Sequence, residues 1–259
     1  MTASPVKLKS VREQVSEAEW QARVDVAACY RLMALYDMTD MIYNHITACV
    51  PGRPQEFLIN PYGMHYEEIT ASCLYKIDID GNVLLKPDTD YDILRAGFII
   101  HSAIHAARPD IDCVIHTHSR AGTAVSCMEG GLQPVCQTAL LFENNLGYHA
   151  FEGAAGQEDE RARLAQSLGK NFNMILHNHG LIACGRSVAE AFVNIYELEF
   201  ACRIQVDLMA SGAKIIWPSE EARANNREIF KTFRARHGFE TEWSAMLRRL
   251  DRIDPSYKT

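Results

Sequence analysis

Between Ser16 and Met38 the apolar residues Trp20, Val24, Ala27, Ala28, Leu32, Leu35 and Tyr36 recur at steps of three and four. That repeat predicts an amphipathic helix opening the domain. The pattern then changes period. The short apolar and β-branched runs "IYNHITACV" (42–50), "EFLIN" (56–60) and "LYKIDIDGNVLL" (74–85) are separated by "VPGRP", "NPYG" and "DG". They predict a meander of strands, with Asp80-Gly81 as a hairpin turn. Helical spacing returns from about Ile93 to Ala107 and stops before Pro109, because proline cannot continue a helix. "IDCVIHTH" (111–118) reads as a buried strand.

Beyond it the pattern predicts a helix near 119–128, a short strand at 147–150 and a helix near 157–168. The strand pair "MILHNHG" (174–180) and "LIACG" (181–185) follows, then a long helix from Val188 to about Ser211. Residues 218–252 again show helical periodicity ahead of the charged tail "RRLDRIDPSYKT". Strands alternating with helices over 259 residues point to one α/β domain, and no repeat or low-complexity linker divides it. We read 1–15 as an N-terminal extension, 16–212 as the main domain and 213–259 as its helical C-terminal segment.

Charge narrows the function classes. The formal net charge is -7 and basic clusters such as Arg248-Arg249 are short, so neither nucleic acid nor membrane is an expected partner. The first 20 residues lack the apolar region of a signal peptide, and no apolar run reaches the length of a spanning helix. A cytoplasmic protein is expected. The eight cysteines form no C-x-x-C pair and lie mostly in apolar runs, as reduced core thiols do.

The chemistry concentrates in the histidines. In "CVIHTHSRAG" (113–122), His116 and His118 are two residues apart, so on a strand they point to one face. The pair suits chelation of a cation, and it equally suits the hydrogen-bonded polar end of a buried strand. A second apolar strand ends in another doublet, His177 and His179, before Gly180. Three imidazoles with an open fourth position are what catalytic zinc uses, but spacing alone does not bring two strand ends together.

From about Ala18 to Ser211 the chain resembles the class II aldolase/adducin family. The resemblance rests on "YDMTDMIYNHITACVP", "FLINPYGMHYEEITASCLYKIDIDGNV", "AGFIIHSAIHAARPDIDCVIHTHSRAGTAVS" and "NHGLIACGRSVAEAF". It implies a three-layer α/β/α sandwich around a mixed central sheet, commonly a homotetramer with sites at subunit interfaces. It also implies one divalent metal held by His116, His118 and His179, usually zinc, with manganese or iron as alternatives. His177 is then a neighbour and not a ligand.

The chain departs from the sugar-phosphate aldolases that it resembles. Their acid/base glutamate falls, reckoned back from His116, on Gly97. Their phosphate-binding Gly-Asn and Ser-Ser fall on Asn44-His45 and Arg95-Ala96, so a phosphorylated sugar is not expected. His45, Arg95 and Arg120 stand as substrate-binding candidates; either arginine can pair with a carboxylate or sit in a surface ion pair. His101 and His105 share the helix face of Gly97. His101, the nearer, is the candidate acid/base, with a structural hydrogen bond as its other reading. Tyr148 is a candidate oxyanion donor or an aromatic packing a strand edge. Trp243 and Tyr257 either pack or close over a neighbour's site in an oligomer.

These departures match the adducin-like branch, whose cytoskeletal members keep the histidines without a known reaction. The neck and basic tail of adducin do not follow here, so an enzyme is the first expectation. It is a metal-dependent lyase that cleaves a carbon–carbon bond, by retro-aldol reaction or decarboxylation, in a small oxygenated, carboxylated substrate through a metal-stabilised enolate. Decarboxylation suits Gly97, since departing carbon dioxide removes the need for a base. A non-catalytic binding domain and a dehydratase are the alternatives.

Overall fold

The computed structural model describes residues 10–153 and 160–259, apart from the side chains of Arg95 and Ala96. A short α1 (Val11–Gln14) leads to α2 (Glu17–Leu35), which starts where the Ser16 hydroxyl accepts the Glu19 N–H at 3.1 Å, a standard N-cap. The meander is β1 (His45–Val50), β2 (Arg53–Ile59), β3 (Tyr75–Asp78) and β4 (Val83–Leu85). Then come α3 (Arg95–Ala107), β5 (Cys113–Thr117), α4 (Arg120–Ser126), β6 (Gly147–His149), α5 (Glu160–Leu168), β7 (Asn173–Leu176), β8 (Gly180–Gly185) and α6 (Val188–Ser211). The chain ends in α7 (Glu220–His237), α8 (Glu240–Ile253) and a 3₁₀ turn over Pro255–Lys258.

The strands form one sheet in the order β4-β3-β2-β1-β5-β8-β7-β6. Among the described residues only β6 and β7 run parallel, so the sheet is mixed. Alternation along each strand sorts side chains between two faces. Ile46, Ala48, Leu58, Cys113, Ile115, Ile175, Leu181 and Ala183 pack in one cluster with α2, α4, α6 and α8. Val114, Met174, Leu176, Ile182 and Cys184 meet Ile100 and Ile104 of α3 and Leu164 and Leu168 of α5 on the other face. Phe57, Ile59, Tyr75 and Ile77 continue that face against Phe98. Helices therefore cover both sides, which makes the α/β/α sandwich.

Two features differ from the pattern reading. The first long helix stops at Leu35, and the next residues turn through left-handed conformations at Asp37 (φ 56°), Met41 (φ 50°) and Asn44 (φ 75°). The C-terminal periodicity is two helices, because Gly238 at φ 61° breaks the run. Of the two readings for Trp243 and Tyr257, the structure shows packing: both are buried within their own chain. Trp243 packs on Phe192 at 5.7 Å, and the Tyr257 hydroxyl donates to Asp251 at 2.8 Å. Among the described residues no helix is long and apolar enough to cross a membrane, and all eight cysteines are free thiols.

Candidate metal centre

His116 lies in β5, a central strand, opposite His45 of β1 and Ile182 of β8. Its Nδ1–H donates to the Leu181 carbonyl at 3.0 Å, which leaves Nε2 as a lone pair. His118 falls just beyond the end of the strand, and its Nδ1–H donates to the Asp40 carboxylate at 3.1 Å, which turns its Nε2 toward His116. The two Nε2 atoms face each other at 3.0 Å.

His179 arrives from the β7–β8 turn, which bends through Asn178 at φ 57°. The turn presses on β5 so closely that a Cβ at Gly180 would stand 2.1 Å from the Thr117 carbonyl oxygen, an approach only glycine permits. The three ring centroids are 4.7–4.8 Å apart. Among the described residues this is the one group whose ligand atoms, all within 4.8 Å of one another, could hold a metal ion. The two histidine doublets thus meet, and His177 stays out of the group. Its Nδ1 donates to the Ser126 carbonyl at 3.2 Å and its ring stacks on Tyr148.

The donor set fits a divalent cation. The Nε2 atoms of His116 and His118 are 3.0 Å apart, close to the roughly 3.3 Å between nitrogens bound at about 2.0–2.1 Å to tetrahedral zinc. Burial, reinforced by His179 and His118, holds His116 well below the ordinary histidine value. Burial and His118 push His179 down to about 4. Both rings therefore stay neutral near pH 7, the form that ligates metal.

A family model described as the class II aldolase and adducin N-terminal domain matches residues 24–206. The chain belongs to this family. A Pseudomonas aeruginosa protein whose name assigns aldolase class 2 and no reaction is 45% identical over 261 residues, covering 100% of both chains. Rat alpha-adducin is 44% identical over 190 residues, which are 73% of this chain and 26% of the adducin. The crystal structure of an aldolase II superfamily protein from Pseudomonas syringae superposes with a TM-score of 0.90 at 42% identity, covering 97% of this chain and 100% of that one.

Within this class II aldolase fold, position 97, where the sequence resemblance puts a glutamate, is overlaid by a histidine. The His45 ring lies over Gly97 and its Nε2–H donates to the Gly97 carbonyl at 2.6 Å. A Cβ on residue 97 would stand 2.7 Å from His45 Cε1 and 3.0 Å from Nδ1. Any other side chain at 97 collides with the imidazole. His45 in turn stacks on His101 at 4.0 Å and meets His116 edge-on at 6.0 Å.

His101 is fully buried and belongs to a hydrogen-bonded chain. His105 Nδ1–H donates to the Ile111 carbonyl at 3.2 Å, so its Nε2 accepts the Thr47 hydroxyl at 2.8 Å. The Thr47 oxygen then accepts His101 Nδ1–H at 2.8 Å. This order leaves His101 Nε2 a lone pair, buried without a hydrogen-bond partner. Burial lowers all three imidazoles, His45 and His105 to about 4 and His101 well below its ordinary value.

The other candidates lie farther out. Tyr148 stacks on His177 and its hydroxyl accepts the Leu132 N–H at 3.2 Å. Arg120 is exposed at the first turn of α4, two residues past His118, and makes no ion pair among the described residues. The Arg95 side chain lies outside the described residues. Sequence reasoning missed Asp40 and Thr47. Thr47 carried a signal, since His45 and Thr47 are alternate polar positions on a buried strand; Asp40 carried none.

Proposed function

We propose that the protein is a divalent-metal-dependent carbon–carbon lyase acting on a small oxygenated substrate. The observation that carries this reading is the triad itself: three imidazoles converging from two strand ends, with Nδ1–H of His116 and His118 held by Leu181 and Asp40. His116, His118 and His179 would hold the cation, which would supply Lewis-acid polarisation of a substrate carbonyl. Zinc is the proposed cation and a homotetramer the proposed working state, as the family membership suggests.

The chain's own residues narrow the reaction. His45 closes the Gly97 niche, so no carboxylate reaches the centre from that position of α3. His101 Nδ1–H is committed to Thr47, and its other nitrogen is buried. A reaction that needs no strong base suits such walls, and loss of carbon dioxide from a carboxylated substrate is one. Arg120, exposed two residues past His118 and without an ion pair among the described residues, is the proposed partner of the substrate carboxylate.

The test is elemental analysis of the purified protein, followed by assays for carbon dioxide or aldehyde release from hydroxy and keto acids. The expected outcome is about one metal per chain, with turnover and metal both lost in His116→Ala. Full turnover after chelation and dialysis would refute the lyase reading.

The similarity to alpha-adducin and the closed Gly97 niche favour a second reading, a binding domain that keeps the metal for stability. In that case chelation lowers the melting temperature while no substrate in the panel turns over.

A further inference from the structure

His116 is held by the hydrogen bonds of a central strand, but His118 lies past the end of β5 and has no such support. What holds it is the segment between α2 and β1. Asp40 accepts from His118 Nδ1–H at 3.1 Å, and the Asn44 side-chain oxygen accepts the His118 backbone N–H at 3.3 Å. Both grips come from one eight-residue segment, 37–44. Three of its non-glycine residues, Asp37, Met41 and Asn44, take left-handed backbone conformations, which L-residues adopt at a cost and retain where surrounding contacts enforce them.

Those contacts are present. Asp40 and Tyr43 form a β-bridge, and Met38 is buried. Arg203 of α6 donates to the carbonyls of Tyr36 at 2.7 Å and Asp37 at 3.1 Å. Arg203 also pairs with Glu199 at 2.9 Å, and Glu199 accepts from Ser119 and from the Gly122 N–H, just beyond His118. One helix thus fastens the segment that carries Asp40 and the chain that follows His118.

We propose that Asp40 is a positioning residue for the metal centre: its carboxylate holds the proton of His118 on Nδ1 and so presents Nε2 to the shared centre. The segment with these left-handed residues is what places a carboxylate behind the ring. The inference rests on the reading that the triad holds a cation. Carboxylates behind metal-binding imidazoles set ring orientation and basicity, and their loss typically weakens affinity 10- to 100-fold.

The experiment measures zinc affinity of the full-length protein by competition with a chromophoric chelator for wild type, Asp40→Ala and Asp40→Asn. In parallel, nitrogen-15 spectra of the metal-free protein report the His118 tautomer. Asp40→Ala should weaken zinc about 10- to 100-fold and mix the His118 tautomers, with an unchanged circular dichroism spectrum. Asp40→Asn retains an acceptor oxygen, so it should keep Nδ1–H and lose less affinity; it also serves if the alanine variant does not fold. Wild-type affinity in Asp40→Ala would overturn the proposal while leaving the metal reading intact. An unchanged tautomer would also overturn it, even if wild type bound no zinc and the metal reading had failed.

Discussion

Replacing Gly97 by alanine should destabilise this protein, although alanine is the better helix former by about 1 kcal/mol. The new Cβ would stand 2.7 Å from His45 Cε1, 3.0 Å from Nδ1 and 3.3 Å from Nε2. The ring has little room to retreat, because its Nε2–H bonds the Gly97 carbonyl at 2.6 Å and it stacks on His101 at 4.0 Å. Overpacking of this kind costs about 1–3 kcal/mol, and a hydrogen bond stretched in the process adds about 1 kcal/mol. The net expectation is a loss of about 1–3 kcal/mol after the helix gain is subtracted.

In a His45→Ala background the obstruction is gone. There the same Gly97→Ala change should stabilise by about 0.5–1 kcal/mol. The assay is chemical denaturation of the four members of the cycle, metal-free and at one protein concentration, so that neither cation nor association differs between them. A change of sign between the two backgrounds, with a coupling of about 1.5–4 kcal/mol, supports the packing of His45 into the niche. Stabilisation by Gly97→Ala in both backgrounds would refute it.

The remaining predictions concern the site and its surroundings. His179→Ala and His118→Ala should each lose stoichiometric metal while keeping the wild-type circular dichroism spectrum; metal retained by either variant would exclude that residue as a ligand. Acidification should destabilise the metal-free protein. Because His45 and His105 titrate at about 4 when folded and near 6.5 when unfolded, neither state is charged at neutral pH. Below about 6.5 the unfolded chain binds protons that the folded chain refuses. Stability is therefore full above that value and falls as pH drops toward 4, by about 1.4 kcal/mol per pH unit for each fully protonated unfolded-state histidine. Denaturation at several pH values checks this, and a slope that His105→Gln leaves unchanged would contradict it.

Truncation after Asp254 should cost more than 2 kcal/mol. It removes the buried Tyr257, worth about 1.5–3 kcal/mol, and the Thr259 carbonyl that accepts from Ser72. An unchanged denaturation midpoint would show that the tail is dispensable.

Periodicity alone determined most elements of the fold, since the repeat of apolar residues reports which face of a local segment is buried. The helix over 188–211 and the β5 and β8 strands follow directly from it. Boundaries that depend on backbone conformation did not: the turn after Leu35 and the break at Gly238 rest on left-handed residues that hydrophobicity does not record. The two histidine doublets were visible as strand-end pairs, and the vacancy at 97 was visible as a glycine.

Tertiary structure decided what those residues do together. The antiparallel register of β5 with β8, and the tight turn at Gly180, bring His179 to His116 and His118. Docking of α3 on the sheet puts His45 into the niche of a residue 52 positions away, and ties Thr47 to His101 and His105. The path after α2 carries Asp40 to a histidine 78 positions later. Burial patterns are local, whereas the meeting of side chains from different elements depends on register and helix docking, which only the packing of the whole chain sets.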